Sequence, residues 1–183
     1  TNQFTLTWLE ELNPNVVNLQ AWYQFTDQAD KASGNGPDVE RPRTETYDAI
    51  TETLCQSVRE GKNVVAVFYG HPGVFVASSH AAIQRLRTEG FTAMMLPAIS
   101  AEDCLFADVG IDPSDCGCVQ HEATAFLFYK FCVDTSVGMI LWQLGVLGDV
   151  TYRKLRPVDT GLAMLTEKLL KHYPPSHQLV IYE

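Results

Sequence analysis

The 183 residues carry 22 acidic and 13 basic side chains, a formal net charge of −9, with 46% hydrophobic residues. That balance argues against a nucleic-acid groove or an anionic lipid surface as partner, and no apolar run approaches the length of a membrane span. Five cysteines without zinc-ligand spacing read as the reduced thiols of a cytoplasmic protein with no bound metal, and Thr1-Asn2-Gln3-Phe4 does not read as a secretory signal.

In chain order, residues 1–25 place Phe4, Leu6, Leu9, Leu12, Val16, Leu19 and Trp22 at helical spacing, and Asn13-Pro14-Asn15 cuts that stretch into two helices. Residues 27–43 are polar and contain Ala32-Ser33-Gly34-Asn35-Gly36-Pro37, the composition of a mobile loop feeding the next element. A helix over 44–60 follows, with Tyr47, Ile50, Leu54 and Val58 on one face and Gly61 as its C-terminal cap. The run 64–69 reads as a buried strand, 70–75 as a glycine turn, 79–89 as a helix ending at Gly90, and 91–96 as a second strand. Ser100 then caps a helix, with Asp103 completing a capping-box variant.

Beyond Pro113 the pattern changes. Val119–Phe128 and Met139–Leu144 read as strands, 159–172 as an amphipathic helix and 179–182 as a closing strand. Alternating strands and helices imply an α/β fold with a parallel sheet in an N-terminal domain, 1–113, and the start of a second α/β domain, 114–183. A ligand site is expected between them.

Several residue groups point to chemistry. The run Val64–Tyr69 empties into Gly70-His71-Pro72-Gly73-Val74-Phe75, and in open α/β sheets ligands sit outside the carboxyl ends of strands. The turn is neither a P-loop nor a dinucleotide fingerprint, and no lysine follows it. Backbone and apolar groups there suit an adenosine without phosphate; an ordinary strand-to-helix turn is the alternative. Arg43 and Tyr47 stand four apart on one helix face, where a guanidinium and the helix N-terminus both favour a phenolate; a solvated arginine beside a core tyrosine fits the spacing as well. Tyr69 closes the strand either as packing or with its hydroxyl in a site, and Tyr23 beside Trp22 is similarly open. Ser100-Ala101 at the next strand-to-helix junction is a second pocket wall or a plain cap. Gln143 interrupts an apolar strand, so its amide needs a ligand or a backbone partner. No Ser-His-Asp, Cys-His or paired-carboxylate arrangement supports hydrolysis.

The strings Phe68-Tyr69-Gly70-His71-Pro72-Gly73-Val74-Phe75 and Met95-Leu96-Pro97-Ala98-Ile99-Ser100-Ala101-Glu102-Asp103-Cys104-Leu105-Phe106-Ala107-Asp108, with Asp112-Pro113-Ser114 and Ile140-Leu141-Trp142-Gln143-Leu144-Gly145, resemble the tetrapyrrole methylase (class III) family of S-adenosylmethionine methyltransferases. The resemblance is strongest to the borosin peptide backbone N-methyltransferases and runs over essentially the whole chain. It implies S-adenosylmethionine as cofactor, bound by Tyr69, His71, Pro72, Gly73, Val74, Ser100, Ala101 and Gln143. It also implies Arg43, Tyr47 and Tyr69 as catalytic residues, Tyr23 as a substrate-site tyrosine, a precursor peptide as substrate and a homodimer. A methylase of a small molecule or tetrapyrrole, and a silent assembly partner with the same fold, are the alternatives. Ala98 stands where the family usually has glycine, so a position needing positive φ would be strained there. The family's first strand and its last strands are expected outside residues 1–183.

Overall fold

A computed structural model describes residues 3–19, 43–149 and 160–182, and the chain divides into two units, Thr1–Ala101 and Glu102–Glu183. Tyr23 and the polar segment up to residue 42 lie outside the described residues, as do the side chain of Arg43 and most of the second N-terminal helix.

In the first unit, α1 (Gln3–Leu12) stops where Asn13 precedes a proline, because a residue before proline is pushed out of the helical region. The asparagine side chain then accepts a hydrogen bond from Asn15 N at 2.9 Å. Residues 16–19 are not helical. Helix α2 (Arg43–Arg59) and helix α3 (Ala77–Thr88) pack through Cys55, Ala82 and Leu86, with Leu54, Val58 and Ala93 around them. The spacing of Leu54, Cys55 and Val58 presents one apolar stripe to α3, as expected of a core-facing helix. Thr51, 1% exposed, satisfies its buried hydroxyl by donating to the carbonyls of Tyr47 (2.8 Å) and Ser78 (3.4 Å). At the solvent edge, Arg59 forks onto Glu89 (2.8 and 2.5 Å) and reaches Glu52 at 2.6 Å, and Arg85 also reaches Glu52. The guanidinium holds the Glu89 carboxyl below its usual range. Helix α2 ends at Gly61, φ 82°: Lys62 N bonds to Ser57 O and Gly61 N to Val58 O, a Schellman closure that glycine permits without strain. Helix α3 closes with the same pair of bonds at Gly90 and Phe91.

The expected strands 64–69 and 91–96 are not strands. Neither run joins a ladder among the described residues, and Val65 (82%), Val67 (60%) and Leu96 (71%) stand exposed. A strand exists only through a partner's N–H and C=O groups, and apolar composition reports what a segment would bury, not whether a partner is beside it. The parallel sheet expected of the N-terminal domain is therefore absent from the described part of this unit.

The second unit holds the described sheet. Strand β1 (Cys118–Glu122) runs parallel to β2 (Gly138–Trp142), with Gln120 opposite Ile140 and Glu122 opposite Trp142. Helix α5 (Ala123–Phe128) sits in the crossover between them, after helix α4 (Ala101–Val109). The single long strand expected over 119–128 stops at Glu122 because that residue caps α5: its carboxylate accepts from Thr124 N at 3.0 Å and Ala125 N at 2.7 Å. Alternation sends Met139 and Leu141 to the core face, against Ala123, Phe126, Leu147 and Leu165. A 3₁₀ turn, Leu144–Val146, follows β2, and helix α6 (Gly161–Leu169) contributes Leu165. Lys168 of α6 donates to carbonyls at the end of α5, those of Phe126 and Leu127 and of Tyr129 just past it, and lies 4.8 Å from the Phe126 ring centre. The closing run 179–182 forms no ladder among the described residues; it is tied instead by Tyr182, whose hydroxyl donates to Asp108 at 2.6 Å. No helix of the described residues is long and apolar enough to cross a membrane.

Candidate functional site

The first turn of α2 begins at Arg43, and Tyr47 follows one turn later, half-buried, with its carbonyl held by Thr51. Tyr47 and Tyr69 line one cavity of about 190 Å³, closed by Phe68, Phe75 and the start of α3 at Val76–Ser78. The two tyrosines assigned by sequence to catalysis thus meet at a single surface. Tyr69 is 95% exposed, so it serves no packing role in the described structure.

The turn after Tyr69 is built from its own polar groups. Gly73 N–H donates to His71 Nδ1 at 2.9 Å and Val74 N–H to His71 O at 3.3 Å, so the His71 ring braces the turn and keeps only Nε2 for other partners. His80 Nε2 donates to Gly73 O at 2.9 Å. Ser79, buried, donates to the carbonyls of Pro72 and Val76. Sequence reasoning passed over Ser79 and His80; a Ser-Ser-His string just inside a helix after a glycine turn was the available signal. Gly70 adopts φ 71°, which glycine takes without strain, and a Cβ there would meet the Ile99 carbonyl oxygen at an ordinary 3.8 Å. The 70–75 turn and the 97–100 segment are therefore neighbours. Ser100 is buried at the N-cap position of α4, and Ala101 is exposed. Ala98 is not among the left-handed residues, so its methyl group imposes no backbone strain.

Two non-glycine residues are left-handed among those described, Phe75 (φ 55°) and Gln143 (φ 62°). Each such residue costs roughly 1–2 kcal/mol and concentrates at functional sites. One closes the glycine turn in the first unit, and the other follows β2 in the second. Gln143 was expected as a buried amide within a strand. Instead β2 ends at Trp142, and Gln143 is exposed at φ 62°, ψ 37°, opening the 3₁₀ turn. The left-handed backbone breaks the ladder, and the carboxyl end of a parallel strand is where α/β folds present ligand-binding residues.

The chain is 39% identical over 180 residues to a methyltransferase/ribosomally synthesized type I borosin cyclic peptide precursor of Coprinopsis marcescibilis, covering 97% of this chain and 42% of that protein. It is 42% identical over 178 residues to the gymnopeptides precursor methyltransferase of Gymnopus fusipes, covering 97% and 39%. It is 39% identical over 182 residues to the omphalotin A precursor methyltransferase of Omphalotus olearius, covering 100% and 39%. It thus spans about two fifths of the length of these curated relatives. The family model for tetrapyrrole (corrin/porphyrin) methylases matches residues 7–182, and the chain belongs to that family.

Proposed function

We propose that this chain is a methyltransferase that uses S-adenosylmethionine to N-methylate backbone amides of a ribosomally made precursor peptide. The observation that carries the reading is the cavity shared by Tyr47 and Tyr69 beside the braced turn at 70–75. The relatives' description as methyltransferase and cyclic peptide precursor supports the same substrate class. The residues fit the donor by their chemistry: the 70–75 turn lies beside the 97–100 segment, and the described residues of the cavity wall are aromatic, aliphatic and hydroxyl-bearing. Such a wall suits an uncharged purine nucleoside. At about 190 Å³ the cavity is smaller than a pocket that encloses a drug-sized ligand, so it seats the reacting end only. In this reading Tyr69, His71, Pro72, Gly73, Val74, Ser100, Ala101 and Gln143 hold the donor.

Bound there, S-adenosylmethionine supplies an electrophilic methyl group carried on a sulfonium sulfur. The remaining difficulty is the amide nitrogen, which is a poor nucleophile until its proton leaves. Tyr47, one helical turn from Arg43, accepts that proton as phenolate or through a water. Arg43 stabilises the negative charge that moves onto the amide oxygen as the proton departs. Tyr69 orients the amide against the reacting centre, and Tyr23 contacts the peptide. Holding the two reactants in line supplies much of the acceleration.

Partner and location follow the same reading. A homodimer, the assembly that the family resemblance implies, belongs to the same reading. Five free thiols accord with a cytoplasmic setting.

The test is intact-mass spectrometry of a borosin-type precursor peptide incubated with the protein and S-adenosylmethionine, followed by fragmentation. Mass gains of one methylene per event, mapped to backbone amides, are expected. Gains on side chains, or no gain from a protein that binds the cofactor, would overturn the peptide-backbone reading.

A further inference from the structure

The exit of β2 is tied by a three-residue relay that spans three elements. Trp142, the last residue of β2, donates its indole Nε1–H to Gln120 Oε1 at 2.7 Å. The Gln120 amide donates in turn from Nε2 to Glu102 Oε1, on the first turn of α4. Gln120 faces Ile140 in the ladder, so Trp142 is its diagonal neighbour on the same face of the sheet. Glu122, directly opposite Trp142, spends its carboxylate on capping α5. All three relay groups are partly buried.

The chemistry allows one arrangement. An indole N–H only donates and a carboxylate only accepts, so the amide between them must point its oxygen at Trp142 and its nitrogen at Glu102. A flipped amide would set donor against donor and acceptor against acceptor. The indole is thereby fixed one residue before Gln143, whose backbone is left-handed at φ 62°, ψ 37° and whose exposed side chain makes no capping bond to the 3₁₀ turn. A strained conformation persists only where the surroundings over-determine it. We infer that Gln120, held between Glu102 and Trp142, is a positioning residue that fixes the β2 exit so that Gln143 is presented to the cofactor. This rests on the reading of Gln143 as a cofactor-binding residue.

The test is calorimetric titration of the full chain with S-adenosylhomocysteine, without peptide, alongside the indole N–H resonances of ¹⁵N-labelled protein. Gln120→Leu removes the acceptor, and Gln120→Glu sets carboxylate against carboxylate at Glu102. Each is expected to weaken binding about tenfold, the size of one lost hydrogen bond that had organised the site, and to shift the Trp142 indole signal. Combining Gln120→Glu with Glu102→Gln reverses the direction of the bond between positions 102 and 120, leaves the indole donating to position 120, and so keeps both hydrogen bonds. That double variant is expected to return affinity to within about threefold of wild type and to restore a protected indole proton. Because it keeps the side-chain sizes, it also separates positioning from a simple failure to fold. Unchanged affinity in Gln120→Leu, or a double variant that binds no better than Gln120→Glu, overturns the inference while leaving the cofactor reading intact. A wild-type chain that binds no S-adenosylhomocysteine overturns both.

Discussion

Replacing Gln143 by glycine should make the protein more stable and a poorer binder of cofactor at once. The left-handed backbone at φ 62°, ψ 37° costs an L-residue roughly 1–2 kcal/mol that glycine does not incur. Glycine gives back about 0.4–1 kcal/mol through the greater freedom of its unfolded chain. The side chain is exposed, so little packing is lost, and the net gain is about 0.5–1 kcal/mol. For a chain of this size that raises the unfolding midpoint by roughly 1–4 °C. The assay is thermal unfolding with and without S-adenosylhomocysteine. The ligand-free midpoint should rise, and the extra rise produced by ligand should shrink, reporting about tenfold weaker binding. A midpoint that falls would refute the claim of stored strain. A midpoint that rises with an unchanged ligand effect would refute the role of the Gln143 side chain.

Phe126 is fully buried and packs against His121 and Phe131, so Phe126→Ala should cost about 3–5 kcal/mol in urea unfolding. Lys168→Met keeps the aliphatic stem but loses the bonds to the α5 carbonyls and the contact with the Phe126 ring; about 1–2 kcal/mol of stability should disappear. The Tyr182 hydroxyl, bonded to Asp108, has its pKa pushed up from 10.0 to about 12. A raised folded-state pKa means the folded protein holds that proton more tightly, so its contribution is complete below pH 10 and is lost as pH climbs through 12. The stability difference between wild type and Tyr182→Phe should therefore shrink over that window, and a difference independent of pH would contradict the assignment.

Local signals in the sequence were reliable where local physics decides. Leu54 and Val58 on the packed face of α2, the cap at Gly61 and the proline break after α1 all appear where the spacing put them, while Cys55, the residue buried deepest in that contact, was not part of the expected stripe. Pairing was not legible in the same way. The run 64–69 has the composition of a buried strand, yet a ladder depends on residues distant in sequence, and none meets it among the described residues. The strand expected over 119–128 hid a helix start because Glu122 acts through its carboxylate, a role the apolar pattern around it masks. At the site, Tyr47 and Tyr69 were found from motif resemblance, and the structure brings both to one cavity. The relay of Glu102, Gln120 and Trp142 was invisible because its members lie 18 and 22 residues apart and follow no periodicity.

In the proposed reaction Tyr47, as phenolate or through a water, accepts the amide proton. Tyr47→Phe tests it most directly, with methyl transfer to the precursor peptide and S-adenosylhomocysteine affinity measured on the same protein. Transfer should fall by about a hundredfold or more, the usual contribution of general base catalysis, while affinity stays within about twofold of wild type because the ring remains in the cavity wall. Transfer that persists at the wild-type rate with cofactor still bound would contradict it.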